Sequence, residues 1–187
     1  MDRYYRDLSH LPPDERNATD FDSPQAIEIE LLAEHLVALV AGRSVRTPNY
    51  DFATHTRVGP GTLMEPAPVL LVEGLFCLAH ERLRQQLDWS VFVETPDRTC
   101  LERRVARDVA DRGRTAEQVR EQYARQVRPA AERLVLPSLR YARRIVSGTM
   151  LPAWLCDTVL GDLEALAIER RESESPRHAA FATMTGY

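Results

Sequence analysis

Two stretches of this chain, APVLLVEGLFCLA (residues 67–79) and WSVFVET (89–95), are apolar with almost no polar interruption, and they constrain the fold more than any other feature. A half-exposed strand alternates apolar with polar, whereas a continuous apolar run of this length fits a strand covered on both faces, as in a parallel sheet. ARRIVSG (142–148) reads as a third strand. Helical segments lie between and after these runs, and strands that alternate with helices define an α/β layer architecture.

The remaining elements follow from period and punctuation. In QAIEIELLAEHLVALVAG (25–42) apolar residues recur at spacings of three and four, so a helix is expected to start at Ser23-Pro24 and stop at Gly42. Residues 43–66, RSVRTPNYDFATHTRVGPGTLMEP, hold two short extended pieces around polar and glycine-containing turns, the pattern of a hairpin. Residues 98–142 read as helix with turns at Arg112-Gly113 and near Pro129 and Pro137, and 152–172 as a closing helix. Beyond Glu172 no period survives, so residues 1–172 are expected to form one domain and 173–187 a flexible tail.

Charge and composition exclude several classes. The formal net charge of −4 gives no overall attraction to nucleic acid or an anionic membrane, so neither is an expected partner. No stretch approaches a membrane span and no leader is visible, which makes the cytoplasm the default location. Cys77, Cys100 and Cys156 form an odd set without metal-ligand spacing, expected to be buried thiols in a reducing compartment. All 24 basic residues are arginine, so a GxxxxGK[ST] phosphate loop is absent from these 187 residues.

Several residue groups carry chemistry, each with a plainer explanation beside it. Glu73 follows a buried strand, at the edge where open α/β sheets bind ligands, and a strand-end turn acid accounts for it equally. Arg104 and Arg107 share a helix face, with Arg112 and Arg114 just past it; the group could clamp a polyphosphate through forked donors, or be a solvated helix paired with Asp108 and Asp111. PNYDFATHTR (48–57) collects Tyr50, Asp51, Phe52, His55 and Arg57, a set able to stack on a ring and bond its polar edge, or merely a surface hairpin. Asp20 and Asp22 read as helix-capping acids or as acceptors for sugar hydroxyls. Asp2 stands beside Tyr4 and Tyr5 at a chain end, and an end frays unless something ties it down.

Taken in order, five segments resemble one family: DRYYRDLSHLPPDERNATDFDSP, PNYDFATHTR, VLLVEGLF, VFVETPDRTCLERRVARDVADRGRT and QYARQVRPAAERLVLPSLRYA. They are similar, in family order and over roughly residues 1–148, to the uridine kinases, which belong with phosphoribulokinase among the P-loop kinases. The resemblance implies a cytoplasmic phosphotransferase of pyrimidine salvage that moves the γ-phosphate of ATP (or GTP), with Mg²⁺, to the 5′-hydroxyl of uridine or cytidine.

It also implies roles for particular residues. Asp2 would be the catalytic base near Mg²⁺, with Glu73 beside the metal and its waters. Tyr5 and Phe52 would wall the base pocket, Tyr50 and His55 would read the pyrimidine edge, and Asp22, Arg104 and Gln122 would hold the ribose. Arg107, Arg112 and Arg114 would belong to a lid over the triphosphate. Family members are expected to assemble as homo-oligomers, tetramers in the first instance.

One departure from the family pattern accompanies the match. The family begins with a strand, a glycine-rich loop ending in Lys-Ser/Thr, a helix and a second strand that delivers the aspartate, and none of these precedes Asp2 in this sequence. The expected fold is therefore a P-loop-kinase-like parallel sheet with a β-hairpin insertion, lacking its first strand, phosphate loop and first helix. Such a sheet would have a central gap and exposed apolar edges. Activity of the 187 residues alone is then in doubt, and a non-catalytic nucleoside-binding remnant, or another kinase of the superfamily such as phosphoribulokinase or pantothenate kinase, is the alternative.

Overall fold

The computed structural model describes residues 1–172 and 179–185. In chain order the elements are α1 (Pro13–Asn17), α2 (Ile29–Val40), β1 (Val45–Thr47), β2 (Tyr50–Asp51), β3 (Thr56–Arg57), β4 (Thr62–Met64), β5 (Val69–Glu73), α3 (Glu81–Arg84), β6 (Trp89–Glu94), α4 (Asp97–Asp111), α5 (Ala116–Gln122), α6 (Arg128–Ala130), β7 (Arg144–Ser147), α7 (Pro152–Glu172) and β8 (Ala179–Thr185). The α/β expectation holds: β5, β8, β6 and β7 form a parallel sheet in that order.

Helix α2 buries the stripe that its three-and-four spacing predicts: Ile29, Leu32, Ala33 and Leu36 against Val72, Phe76 and Phe92, and Leu39 against Val45 and Leu70. It ends at Gly42, whose φ of 75° suits the turn that closes a helix. Its start differs from expectation. Ser23-Pro24 opens only a short 3₁₀ turn, Pro24–Ala26, and Ile27 is extended because it bridges to Tyr5. Backbone bonds from Arg6 N to Ala26 O (2.8 Å) and from Glu28 N to Tyr4 O (2.8 Å) hold it there. The chain start is thus tied down rather than frayed: Tyr4 is buried in the core, and the Met1 amine donates to Glu73 O at 2.8 Å.

The apolar residues Val119, Tyr123, Val127, Ala131 and Val135 recur every fourth position and all are buried. An α-helix at 3.6 residues per turn would carry such a stripe around its axis. The wider π turns at Tyr123–Val127 and Ala131–Val135 keep it facing inward. The hairpin of residues 43–66 is a nested pair, β1 with β4 outside and β2 with β3 inside.

Two expectations are corrected. Strand β6 is buried throughout its apolar length, but β5 alternates, leaving Val69 and Leu71 at 56% and 71% exposure. The reason is position: β5 is an edge strand, and the cluster of α7 residues Leu155, Val159, Leu163 and Leu166 covers Trp89, Val91, Val93 and Val146 instead. Cys77 and Cys100 are buried, as expected, whereas Cys156 is exposed. Burial pushes the Cys77 thiol up to about 12 and the Cys100 thiol up to about 11, which keeps both protonated and unreactive.

The expected tail and the expected central gap meet in one finding. Residues 173–178 and 186–187 lie outside the described residues, but Ala179–Thr185 is strand β8, set between β5 and β6 and parallel to both. Ala182 pairs with Val72 on one side and Ser90 on the other. The slot is filled from the C-terminal end of the chain. Among the described residues no helix is long and apolar enough to cross a membrane.

Candidate active site

The sheet's carboxyl edge carries the first group. Glu73 ends β5, and the Met1 amine lies 3.6 Å from its Oε1, which sets Asp2 next to it in the 3₁₀ turn Asp2–Tyr4. Both carboxylates are exposed. Gly74 follows with φ of 148°, and a side chain there would run into Met1, so the close approach of the two segments requires glycine.

The second group is an aromatic box built from three places in the sequence. Tyr5 has ring-centroid distances of 5.4 Å to Tyr50, 6.3 Å to Phe52 and 5.6 Å to Phe21, and Tyr50 lies 5.1 Å from Phe52. Phe21 stacks on His55 at 4.3 Å. His55 sits at φ of 55°, unusual for a non-glycine residue and held by the tight β2–β3 turn. Burial lowers the His55 pKa, which favours the neutral ring, and burial with the nearby Asp7 raises the Tyr50 phenol to about 12.

Two polar atoms of this box are buried without a hydrogen bond among the described residues: Tyr50 Oη and His55 Nδ1. A buried polar group left unpaired is costly. Neither finds a partner among the described residues of the box.

Arg57, grouped with the box by sequence, instead braces it. Its Nε donates to Tyr5 O at 3.1 Å, its Nη1 to Glu28 Oε2 at 2.8 Å, and its backbone amide to Asp7 Oδ1 at 3.0 Å. Asp51 caps its own turn, accepting from Ala53 N and Thr54 Oγ1.

The third group joins the box through Asp22. Arg104 Nη2 lies 3.7 Å from Asp22 Oδ2; the Asp22 carboxyl is raised by burial, against the pull of Arg104. Tyr5, whose phenol is raised by burial and by Asp2, Asp22 and Tyr50, also feels Arg112. The box and the arginine face are therefore contiguous. Gln122, expected at the ribose, accepts from Arg114 Nη1 at 2.6 Å, so it meets the arginines directly.

Arg104, Arg107, Arg112 and Arg114 converge on one carboxylate, Asp108, which is 0% exposed. The pairing with Asp108 that a solvated helix would show is present, but the acid is buried. Its positions four before Arg112 and four after Arg104 were the available signal. Phe21 carried none, since its stacking partner lies 34 residues away in a different turn.

A cavity of about 230 Å³ opens between Trp89, Arg144, Asp162 and Leu166. It lies at the amino ends of β6 and β7, opposite the carboxyl edge that holds Glu73, and belongs to none of these groups.

A parallel sheet with acids at its carboxyl edge, beside an aromatic box and an arginine cluster, has the fold of the P-loop-type kinases. A solved structure from Silicibacter sp. TM1040, described as a fructose transport system kinase, matches it with a TM-score of 0.56 at 21% identity, over 78% of this chain and 71% of that one. At that identity the likeness shows the fold alone.

Sequence comparison goes further. The profile of the Phosphoribulokinase / Uridine kinase family matches residues 1–150, and the chain belongs to that family. It is 46% identical over 145 residues to a uridine kinase from Shewanella amazonensis (78% of this chain, 68% of that protein). It is 43% identical over 164 residues to a uridine kinase from Chloroflexus aurantiacus (88% and 78%).

Proposed function

We propose that this member of the kinase family acts on a pyrimidine nucleoside, with uridine or cytidine as acceptor of the γ-phosphoryl group of ATP or GTP at its 5′-hydroxyl. The observation that carries this is the pair of unpartnered buried atoms, Tyr50 Oη and His55 Nδ1, in a box walled by Tyr5, Phe21 and Phe52. A small planar ring with a polar edge would stack there and supply the missing hydrogen bonds. A purine's larger ring would leave them misaligned.

Asp22 and Arg104 border the box and would hold the sugar hydroxyls. Asp2, at the sheet edge, would accept the 5′-hydroxyl proton. Asp2 and Glu73 are hard oxygen donors of the kind Mg²⁺ takes alongside phosphate oxygens and water, and they would hold it. Bound there, the ion would neutralise developing phosphate charge. The test is a titration of the chain with uridine, cytidine, adenosine and ribose, followed by calorimetry. Uridine or cytidine binding at least tenfold tighter than adenosine supports the proposal, and equal binding of all four removes it.

A second possibility rests on β8. The sheet is closed by a strand that carries no phosphate loop, which suits a nucleoside-binding module without transfer. Uridine binding without UMP formation, even with a phosphate-loop segment supplied, would select it.

A further inference from the structure

Asp108 has no part in the chemistry proposed above, yet four cations surround it. Arg107 Nε donates to Oδ1 at 2.9 Å, and Arg112 Nη1 stands 3.2 Å from the same oxygen. Arg104 Nε and Arg114 Nη1 are each 3.7 Å from Oδ2. The backbone carbonyl of Asp108 also accepts from Arg112 N (3.2 Å) and Arg114 N (3.3 Å). One residue therefore holds both the chain that turns back after α4 and the side chains that turn presents.

Burying a carboxylate costs several kcal/mol unless it is paired and hydrogen-bonded. Here the pairing is incomplete: Asp108 Oδ2 and Arg104 Nε are buried with no hydrogen bond among the described residues. Formal charge is unbalanced in the other direction. Four guanidiniums outnumber the acids near them, which are Asp108, Asp22 and, beside Asp22, Asp20. Arg107, Arg112 and Arg114 are 49%, 51% and 42% exposed, so their free faces meet solvent while Asp108 holds the inner ones.

We propose that Asp108 is a positioning residue. It gathers Arg107, Arg112 and Arg114 into one preformed clamp for a polyphosphate, and through Arg104 it connects that clamp to Asp22 on the sugar side. The identity of the polyanion as a nucleoside triphosphate rests on the kinase function proposed above; the clamp itself does not.

Calorimetric titration of the 187-residue chain with inorganic triphosphate, and separately with uridine, tests this. Asp108→Asn keeps the shape and adds net positive charge, which by itself would strengthen anion binding. Positioning predicts the reverse, a loss of about tenfold or more in triphosphate affinity, as expected when a charged hydrogen-bond partner is removed, while uridine affinity changes less than about threefold. Triphosphate binding that is unchanged or tighter in a folded Asp108→Asn, or absent in the unsubstituted chain, overturns the proposal. Triphosphate results as predicted but no uridine binding would instead remove the nucleoside assignment and leave Asp108 in its role.

Should Asp108→Asn fail to fold, the unsubstituted chain decides through its ¹⁵N-arginine spectrum. The Arg107 Nε–H should exchange slowly with water, and the Arg112 and Arg114 signals should shift when triphosphate is added. Exchange at Arg107 as fast as at Arg98, which is 89% exposed, would overturn the proposal.

Discussion

Phe21 stacks on His55 with ring planes only 21° from parallel, so a residue that precedes α2 sets the orientation of a residue in the β2–β3 turn. The stacked ring carries the Nδ1 that is buried without a hydrogen bond among the described residues. Phe21→Ala should therefore behave like a mild His55→Ala. We expect His55→Ala to weaken uridine binding by roughly three- to tenfold, the range of one neutral hydrogen bond, and to narrow the preference over adenosine. Calorimetry with both nucleosides checks it; equal losses for uridine and adenosine would count against a base-reading role.

The ribose side gives a larger effect. Asp22→Ala removes a charged acceptor beside Arg104, so uridine affinity should fall by about 1.5–3 kcal/mol while free uracil is affected little. Comparing uridine with uracil isolates the sugar contribution.

Stability should fall on mild acidification. Burial lowers the pKa of both His35 and His55 below the ordinary 6.5. The unfolded chain then binds protons at these sites before the folded one does. Their contribution is fully present above about pH 6.5 and is lost as pH falls from there toward the lowered folded values. Asp22, raised by burial, acts in the opposite sense. Melting temperatures at pH 7.5 and 5.5 should differ, and His35→Gln together with His55→Gln should flatten the difference.

Strand β8 pairs on both sides, so ending the chain after Glu172 should destabilise it far more than loss of a tail would. Ala182→Pro offers a milder version: it deletes one ladder donor between β5 and β6 and should cost on the order of 1–3 kcal/mol. Urea denaturation of the three chains is the measurement, and equal stability throughout would show that β8 does not complete the sheet.

Assayed alone with uridine, ATP and Mg²⁺, the 187 residues should form no UMP, because they contain no lysine and no GxxxxGK[ST] loop to hold the γ-phosphate in line with the 5′-hydroxyl. A strand–loop–helix segment bearing that motif, taken from a uridine kinase and fused or added in trans so that its strand takes the place of β8 between β5 and β6, should permit transfer, and Asp2→Asn should abolish it. Product from the unsupplemented chain that Asp2→Asn removes would show that the arginine cluster suffices.

Much of this molecule is legible in local pattern. The continuous apolar runs marked β5 and β6, ARRIVSG marked β7, the period of residues 25–42 marked the body of α2, and 152–172 matched α7. Hydrophobic period and glycine or proline punctuation act between neighbours in the chain, so one dimension suffices to read them. Tyr5, Tyr50, Phe52 and His55 of the aromatic box and the arginine face were likewise nameable, because each lies within a short run of distinctive residue types, whereas Phe21 was not.

What depended on the tertiary structure involved partners far apart in sequence. Ile27 left the helix because Tyr5 bridges to it, β5 kept an exposed face because α7 settled over β6 and β7, and Asp108 became buried because a turn beyond α4 folded three arginines back onto it. Strand β8 is the clearest case: AAFATMT has no periodicity that marks it as a central strand. It is a strand because β5 and β6, parallel and apolar, offer two unpaired rows of backbone donors and acceptors, and hydrogen bonding to both outweighs its weak local preference.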